Sequence, residues 1–150
     1  MTVLPPGLPA PAPAPDGLDA RYWDGTRAHE LRVQRCAGCR TWQWGPEWVC
    51  HACLGEDLEW PAVAPEGRVY SWERVWHPVH PALAEAVPYV VVLVELPHAG
   101  GVRMVGNLAG DAHAPVRLGA AVEAVFEDHD GADPPYTLVQ WRRTEEEHTR

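Results

Sequence analysis

Four cysteines, arranged as two C-x-x-C pairs, constrain this chain more than any other feature of its sequence. Cys36 and Cys39 form the first pair, and Cys50 and Cys53 form the second after ten intervening residues. Each pair can place two sulfurs on one side of a tight turn, and two facing turns give four thiolates at tetrahedral corners. Zn²⁺ prefers this geometry. The spacing therefore predicts a four-thiolate zinc site that pins a small ribbon.

The predicted metal is structural rather than catalytic. Four thiolates complete the coordination shell of zinc, so no position is left for water or substrate. Iron bound as in a rubredoxin-like electron carrier is the main alternative, because the same four sulfurs accept it. His51 lies inside the second pair and is interpreted as a surface residue, since four cysteines suffice.

The start of the chain and its cysteines predict a cytoplasmic location. No basic segment followed by an apolar run precedes the first prolines, as a secretion signal would require. The longest apolar run, residues 90–94, is far too short to span a membrane. Two disulfides are the less favoured alternative, because thiols in a reducing compartment bind metal more often than they pair.

The charge of the chain argues against nucleic acid as a partner. The formal net charge is −9, all twelve basic residues are arginine, and no basic patch is visible. Nucleic-acid binding draws most of its affinity from cations that meet phosphates. A nucleic-acid-binding OB and zinc-ribbon module is therefore an alternative with the right architecture and the wrong charge.

The chain divides into a lead-in, a ribbon, a barrel and a tail. Proline- and alanine-rich residues 1–18 predict either a disordered start or a linker between domains. Residues 19–35 are predicted to be a helical lead-in: Asp19 can cap a helical stretch of roughly 19–30, Gly25 weakens it into two short helices or one frayed helix, and a strand of 31–35 follows. The ribbon (36–61) contains a hairpin of 41–44 and 47–49, and the barrel (67–143) and an acidic tail (144–150) complete the chain.

The barrel region is predicted to hold five strands, at residues 68–77, 88–96, 101–108, 121–127 and 136–142. The unbroken apolar run in the second of these predicts burial on both of its faces. Five short antiparallel strands indicate a small OB-type barrel, although an open sandwich would show the same pattern. The predicted fold class is mainly β: short N-terminal helices, a rubredoxin-like zinc ribbon and a C-terminal five-stranded OB-fold barrel.

Other candidate chemistry is weak in this sequence. No phosphate-binding loop, dinucleotide fingerprint, nucleophile elbow or H-E-x-x-H motif is present. His77 and His80 are interpreted as part of a proline-stiffened surface loop rather than as a second metal site. The acidic run between Glu127 and Asp133 is interpreted as a solvated turn rather than a calcium loop.

Five tryptophans are candidates for a partner surface. Three lie in a ribbon too small to bury them, and two alternate on one predicted strand face. Some are expected to pack against the barrel, and others to lie in a protein–protein interface, where tryptophan is enriched. The five are Trp42, Trp44, Trp48, Trp72 and Trp76.

The order of these features resembles the acyl-CoA-associated family of zinc-ribbon OB-fold proteins, once catalogued only as a domain of unknown function. The resemblance runs from about Tyr22 to Trp141. It is carried by the segments YWDGTRAHELRVQRC, CAGCRTWQWGPEWVCHAC, LEWPAVAPEGRVYSWERVWHPVHPAL, VPYVVVLVEL, RMVGNLAG and VRLGAAVEAVFED.

The resemblance implies a non-catalytic accessory subunit of a hetero-oligomer. Family members pair with thiolase-like proteins, including those of the sterol-carrier-protein type, and some partners are aldolases for CoA thioesters in steroid side-chain degradation. The partner supplies the catalytic residues, and the family member stabilises it and helps to form the acyl-CoA channel. Some members are fused behind a MaoC-type hydratase domain, and residues 1–18 would suit such a junction. Cations that could meet CoA phosphates are Arg68, Arg74, Arg103 and Arg117.

Overall fold

The structure is a computed structural model that describes residues 2–144. Most of the predicted acidic tail, residues 145–150, lies outside the described residues, as does Met1. The α-helix is α1 (Ala20–Arg27), and single 3₁₀ turns occur at Pro81–Leu83 and Pro97–Ala99. None of the helices between residues 2 and 144 is long and apolar enough to cross a membrane.

Ten strands make up the rest of the regular structure of the described residues. Five short ones belong to the ribbon region, and five longer ones follow it. They are β1 (Leu31–Arg32), β2 (Gln34–Cys36), β3 (Trp42–Gln43), β4 (Leu58–Glu59), β5 (Ala62–Val63), β6 (Glu66–Val75), β7 (Tyr89–Leu96), β8 (Val102–Asn107), β9 (Ala121–His129) and β10 (Tyr136–Arg143).

The five longer strands form a nearly closed antiparallel barrel. Their order is β10–β9–β6–β7–β8, and the two edge strands meet through a parallel bridge between Leu108 and Trp141. The Ala109 N–H donates to the Trp141 carbonyl at 2.7 Å, and the Asn107 N–H donates to Gln140 Oε1 at 2.8 Å. This closure confirms the OB-type barrel and rules out the open sandwich.

Strand β7 is buried on one face only, so the prediction that both of its faces are buried is wrong. Val90, Val92 and Val94 are buried, whereas Val91 and Leu93 are partly exposed. The reason is that a barrel is a single sheet closed on itself, whose inner face alone is covered by its own side chains.

The lead-in is one helix of eight residues, and Asp19 does not cap it. The Asp19 side chain accepts no hydrogen bond from a backbone N–H of the first turn. Instead Asp19 Oδ2 accepts from Trp23 Nε1 at 3.0 Å, and Oδ1 accepts from the Ala14 N–H at 2.9 Å. Gly25 does not weaken the helix but permits close packing, because a Cβ there would lie 2.9 Å from the Arg32 side chain.

The acidic run begins in β9 and continues into the turn after it, and it also docks the lead-in. Asp128, Asp130 and Asp133 are exposed, as expected of a solvated turn, whereas Glu127 is buried. Asp128 contacts His29 Nε2 at 2.8 Å and accepts from the Thr137 hydroxyl at 2.6 Å. Glu127 is 3% exposed and accepts from the Val3 N–H at 2.9 Å. These bonds hold both α1 and the proline-rich segment against the β9–β10 hairpin.

Replacing Asp128 by asparagine is expected to lower the free energy of unfolding by about 1 kcal/mol at neutral pH. The hydrogen bond from Thr137, and then the bond and charge of His29 and the charge of Arg27, lower the pKa of Asp128. A lowered folded pKa gives stability that is present above the unfolded value of about 4 and is lost as pH falls through the folded value. Denaturant unfolding at pH 7 and pH 3 should therefore show a smaller acid loss in Asp128→Asn than in the parent.

Asp24→Asn is the matched control for that experiment. The Asp24 side chain is exposed and makes no hydrogen bond with the described residues. Equal acid sensitivity of the parent and the Asp128 variant would contradict the prediction.

Candidate metal centre and partner surface

The ribbon is built around β2, which lies at the centre of a three-stranded sheet. Strand β3 pairs with one side of β2 and β4 pairs with the other. The predicted hairpin of residues 41–44 and 47–49 is therefore wrong, because β3 pairs back onto β2 and residues 47–49 form no strand. Pairing β2 with both neighbours places the two cysteine turns opposite each other.

The structure brings all four predicted cysteines together. Their sulfurs lie within 4.8 Å of one another, with 3.6 Å between Sγ of Cys36 and Cys53 and 3.5 Å between Sγ of Cys39 and Cys50. Sulfurs placed about 2.3 Å from a central ion at tetrahedral corners would lie about 3.8 Å apart. The arrangement thus fits a closed four-thiolate metal site.

The surroundings of the sulfurs act unequally on the thiols: a backbone hydrogen bond of Gly55 lowers the pKa of Cys53, but the side chains of Cys39 and Cys36 and burial raise it to about 11. The Thr41 hydroxyl lies 3.1 Å from Cys39 Sγ, and its hydrogen bond lowers the pKa of Cys39 to about 6. Backbone N–H groups of Cys39 and Ala52 point at Cys36 Sγ and Cys50 Sγ, at 3.5 and 3.4 Å. Thiolates are the species that bind metal, and the two backbone N–H groups can donate to the sulfurs of Cys36 and Cys50.

Two buried glutamines fix the segment between the cysteine pairs. Gln34 and Gln43 are 2% and 3% exposed, and Gln43 Nε2 donates to Gln34 Oε1 at 2.6 Å. Gln34 Nε2 donates to the Glu47 carbonyl at 2.9 Å, and Gln34 Oε1 accepts from the Glu47 N–H at 3.0 Å. Gln43 Nε2 also donates to the Val49 carbonyl at 3.2 Å. The segment on either side of Trp48 is therefore held at both ends.

Neither glutamine is predicted from the sequence to be structural. Their signal is weak, because a polar residue on a two- or three-residue strand reads as a solvent-facing position. They are interior because their side chains bond to each other and to the backbone of residues 47 and 49.

The five candidate tryptophans divide into packed and exposed ones. Trp42 packs against Gly100, where a Cβ would lie 2.7 Å from the indole, and Trp44 meets the Tyr22 ring edge-on with centroids 4.9 Å apart. Trp72 is partly buried against the barrel core. Trp48 and Trp76 remain 61% and 62% exposed.

The four candidate arginines are not gathered into one cluster. The Arg74 guanidinium donates hydrogen bonds to the carbonyls of Ala112 and Ala114, at 2.7 and 2.9 Å. Arg68 and Arg103 flank Glu95 from the neighbouring strands, and Arg103 also lies 3.6 Å from the Tyr70 ring centroid. Arg117 is exposed in the loop between β8 and β9.

The two histidines of the 77–80 loop form no second metal site with other described residues. His80 Nδ1 accepts from the Ala82 N–H at 3.1 Å and so caps the first 3₁₀ turn. His77 is exposed. The interpretation of this stretch as a surface loop agrees with these contacts.

An open cleft of about 480 Å³ lies between the ribbon, the start of α1 and β4. We call it the Trp48 cleft. Its residues are Gly17, Leu18, Arg21, Gln34, Glu47, Trp48, Glu56, Leu58, Glu59 and Trp60.

Comparison with known proteins identifies both parts of the chain. Residues 23–59 match the rubredoxin-like zinc ribbon domain of ChsH2, and residues 60–127 match the ChsH2 C-terminal OB-fold domain. A solved structure described as the Ltp2–ChsH2 (DUF35) aldolase is 35% identical, with a TM-score of 0.75, over 89% of this chain and 98% of that one. A DUF35 protein of unknown function from Sulfolobus solfataricus shares the fold at 15% identity and a TM-score of 0.58.

Two curated relatives are longer proteins. A probable enoyl-CoA hydratase alpha subunit from Thermomonospora curvata is 37% identical over 88% of this chain and 39% of its own length. The 3-oxo-4,17-pregnadiene-20-carboxyl-CoA hydratase alpha subunit of Mycobacterium tuberculosis is 32% identical over 91% of this chain and 45% of its own. The chain thus spans less than half the length of either relative.

Proposed function

The chain belongs to the ChsH2 family of zinc-ribbon and OB-fold proteins, and we propose that it is the non-catalytic partner of a thiolase-like aldolase that acts on a CoA thioester. In this role the chain stabilises the catalytic subunit and forms part of the acyl-CoA path. The observation that carries the proposal is the match to the Ltp2–ChsH2 aldolase, which extends over 98% of that chain.

The names of the curated relatives support a steroid CoA thioester as the substrate class. A hydratase that adds water to a double bond conjugated with a thioester produces a β-hydroxyacyl-CoA. A retro-aldolase cleaves the bond between the α and β carbons of such a compound. A hydratase alpha subunit that contains this domain would therefore deliver its product to an aldolase bound to the same polypeptide.

The metal in this proposal is structural Zn²⁺, held by the four cysteines in the cytoplasm. Support comes from the sulfur spacing and from the match to a zinc-ribbon domain. Zinc holds the ribbon in shape and takes no part in chemistry, because its ligand shell is closed. Metal analysis separates zinc from the iron alternative, since ferric thiolate is red and zinc thiolate is colourless.

In this proposal the residues that contact CoA phosphates are Arg68, Arg103 and Arg117. Arg74 is a poor candidate because two backbone carbonyls already occupy its guanidinium. Three cations in a chain of net charge −9 are few, so the catalytic subunit supplies most of the CoA site in this proposal.

Co-expression with an Ltp2-type subunit tests the proposal. We expect the two chains to co-purify and the partner to melt at a higher temperature in the complex, because a ligand of the native state stabilises it. Size-exclusion chromatography with light scattering and thermal unfolding measure this. An Ltp2-type subunit that neither co-purifies with the chain nor gains stability from it would refute the proposal.

The nucleic-acid alternative is tested by electrophoretic shift at low salt. Given the net charge of −9, we expect no retarded band with single-stranded DNA or RNA. Tight, salt-sensitive retardation would favour the alternative instead.

A further inference from the structure

We infer that the Trp48 cleft is where an arginine or lysine side chain of the aldolase subunit docks. The inference rests on the proposed function and deepens it, since it says which surface of the chain meets the partner and with what chemistry. Three features of the cleft carry it: an exposed indole, a rigid backbone beneath that indole, and carboxylates without a cation.

The indole of Trp48 is exposed although its backbone is firmly held. The ring is 61% exposed, yet Glu47 on one side and Val49 on the other are hydrogen-bonded to the buried Gln34–Gln43 pair. Cys50 and the metal site follow directly. An aromatic side chain on a fixed backbone loses little conformational freedom when a partner covers it, which is a property of interface hot spots.

Trp76 lacks this support although it is equally exposed. It directly follows the end of β6, and its ring contacts the edge of His113 in the loop after β8, with centroids 5.7 Å apart. Trp48, by contrast, lines a recess together with Leu18, Leu58 and Trp60. A recess beside a rigid ring can receive a side chain, whereas a ring at a strand end cannot enclose one.

The negative charge of the cleft favours binding of a cationic side chain. Three carboxylates line it, from Glu47, Glu56 and Glu59, against the single guanidinium of Arg21. Glu59 is already paired with Arg35 and Arg40, at 2.6 and 3.1 Å. Glu47 and Glu56 form no ion pair with the described residues, so their charge faces solvent.

A cation placed over Trp48 would interact with both the indole and the carboxylates of the cleft. The face of an indole attracts guanidinium and ammonium groups, and nearby carboxylates add charge-assisted hydrogen bonds. The stem of the arginine or lysine would cover Leu18 and Leu58. Arginine is enriched at interfaces together with tryptophan, which fits this pairing.

Binding of three variants to the Ltp2-type subunit tests the inference. By biolayer interferometry we expect Trp48→Ala to raise Kd at least about 30-fold, as truncation of a hot spot does. Trp76→Ala, with the same exposure, is the matched control and should change Kd less than about threefold. The double variant Glu47→Gln/Glu56→Gln should raise Kd about tenfold and flatten its dependence on NaCl between 50 and 300 mM, because rim charges act through screened attraction.

Metal content and the melting temperature of each variant show that it is folded before binding is measured. Unchanged affinity in Trp48→Ala, a loss in Trp76→Ala as large as in Trp48→Ala, or tighter binding of the double glutamine variant would each overturn the inference while leaving the proposed function in place. Failure of the parent chain to bind the Ltp2-type subunit at all would overturn both.

Discussion

Replacing Cys50 by serine is expected to abolish metal binding and unfold the ribbon while the barrel stays folded. Cys50 is fully buried, and its sulfur lies 3.5 Å from that of Cys39. The three ribbon strands have only two or three residues each, so they cannot bury enough apolar surface to fold alone. In zinc-finger peptides the metal contributes about 10–16 kcal/mol, which is folding free energy.

Two measurements check this expectation. Metal per chain, from plasma emission spectrometry, should fall from about one to near zero. Hydrogen exchange should show lost protection across residues 36–59 and retained protection in β6–β10, because the buried apolar cluster lies mainly in the barrel.

His51→Ala is the matched control for the cysteine variant. His51 lies between Cys50 and Cys53 but is exposed, and it is not among the four clustered ligands. The His51→Ala variant should therefore retain its metal. A Cys50→Ser protein that is soluble, melts like the parent and binds no metal would show that the metal does not hold the ribbon.

Replacing Trp141 by alanine is expected to lower the free energy of unfolding by about 3–5 kcal/mol, the usual cost of removing a buried large aromatic side chain. Trp141 is the largest fully buried side chain of the described residues. It packs over Gly106, where an added Cβ would lie 2.7 Å from the indole. The indole thus fills the seam where β8 and β10 close the barrel.

The loss should appear as a fall of roughly 10 °C in melting temperature, since about 2–4 °C accompanies each kcal/mol in a chain of this size. Trp76→Ala removes the same side chain from an exposed position and should cost less than about 0.5 kcal/mol. The loss in free energy of unfolding for Trp141→Phe should lie between those of Trp141→Ala and Trp76→Ala. If Trp141→Ala and Trp76→Ala unfold at the same denaturant concentration, the seam does not depend on the indole.

The predicted metal ligands and the fold class depended on patterns that are local in the chain. The spacing of Cys36, Cys39, Cys50 and Cys53 nearly determines how the four sulfurs can meet, whatever surrounds them. Alternation within strands, and turns rich in glycine and proline, likewise indicated the five barrel strands. The resemblance to the zinc-ribbon OB-fold family, confirmed by the matches to both ChsH2 domains, rested on these same segments.

The errors came where partners that the local pattern does not show decide strand pairing and burial. The predicted hairpin of residues 41–44 and 47–49 failed because β3 pairs with β2 across the first cysteine turn, and the backbone of residues 47 and 49 is bonded by the buried side chains of Gln34 and Gln43 instead. Glu127 was interpreted as part of a solvated turn because the Val3 N–H, 124 residues earlier, was not expected beside it.

The sequence by itself determined that this chain carries a four-cysteine metal ribbon followed by an OB barrel, because ligand spacing and strand periodicity are short-range properties. Only the tertiary structure decided which side chains face outward. Trp42, Trp44 and Trp48 lie within seven residues of one another, yet Gly100 covers the first, Tyr22 covers the second, and none of the described residues covers the third. Exposure depends on which distant elements pack against a residue, and no local pattern encodes that.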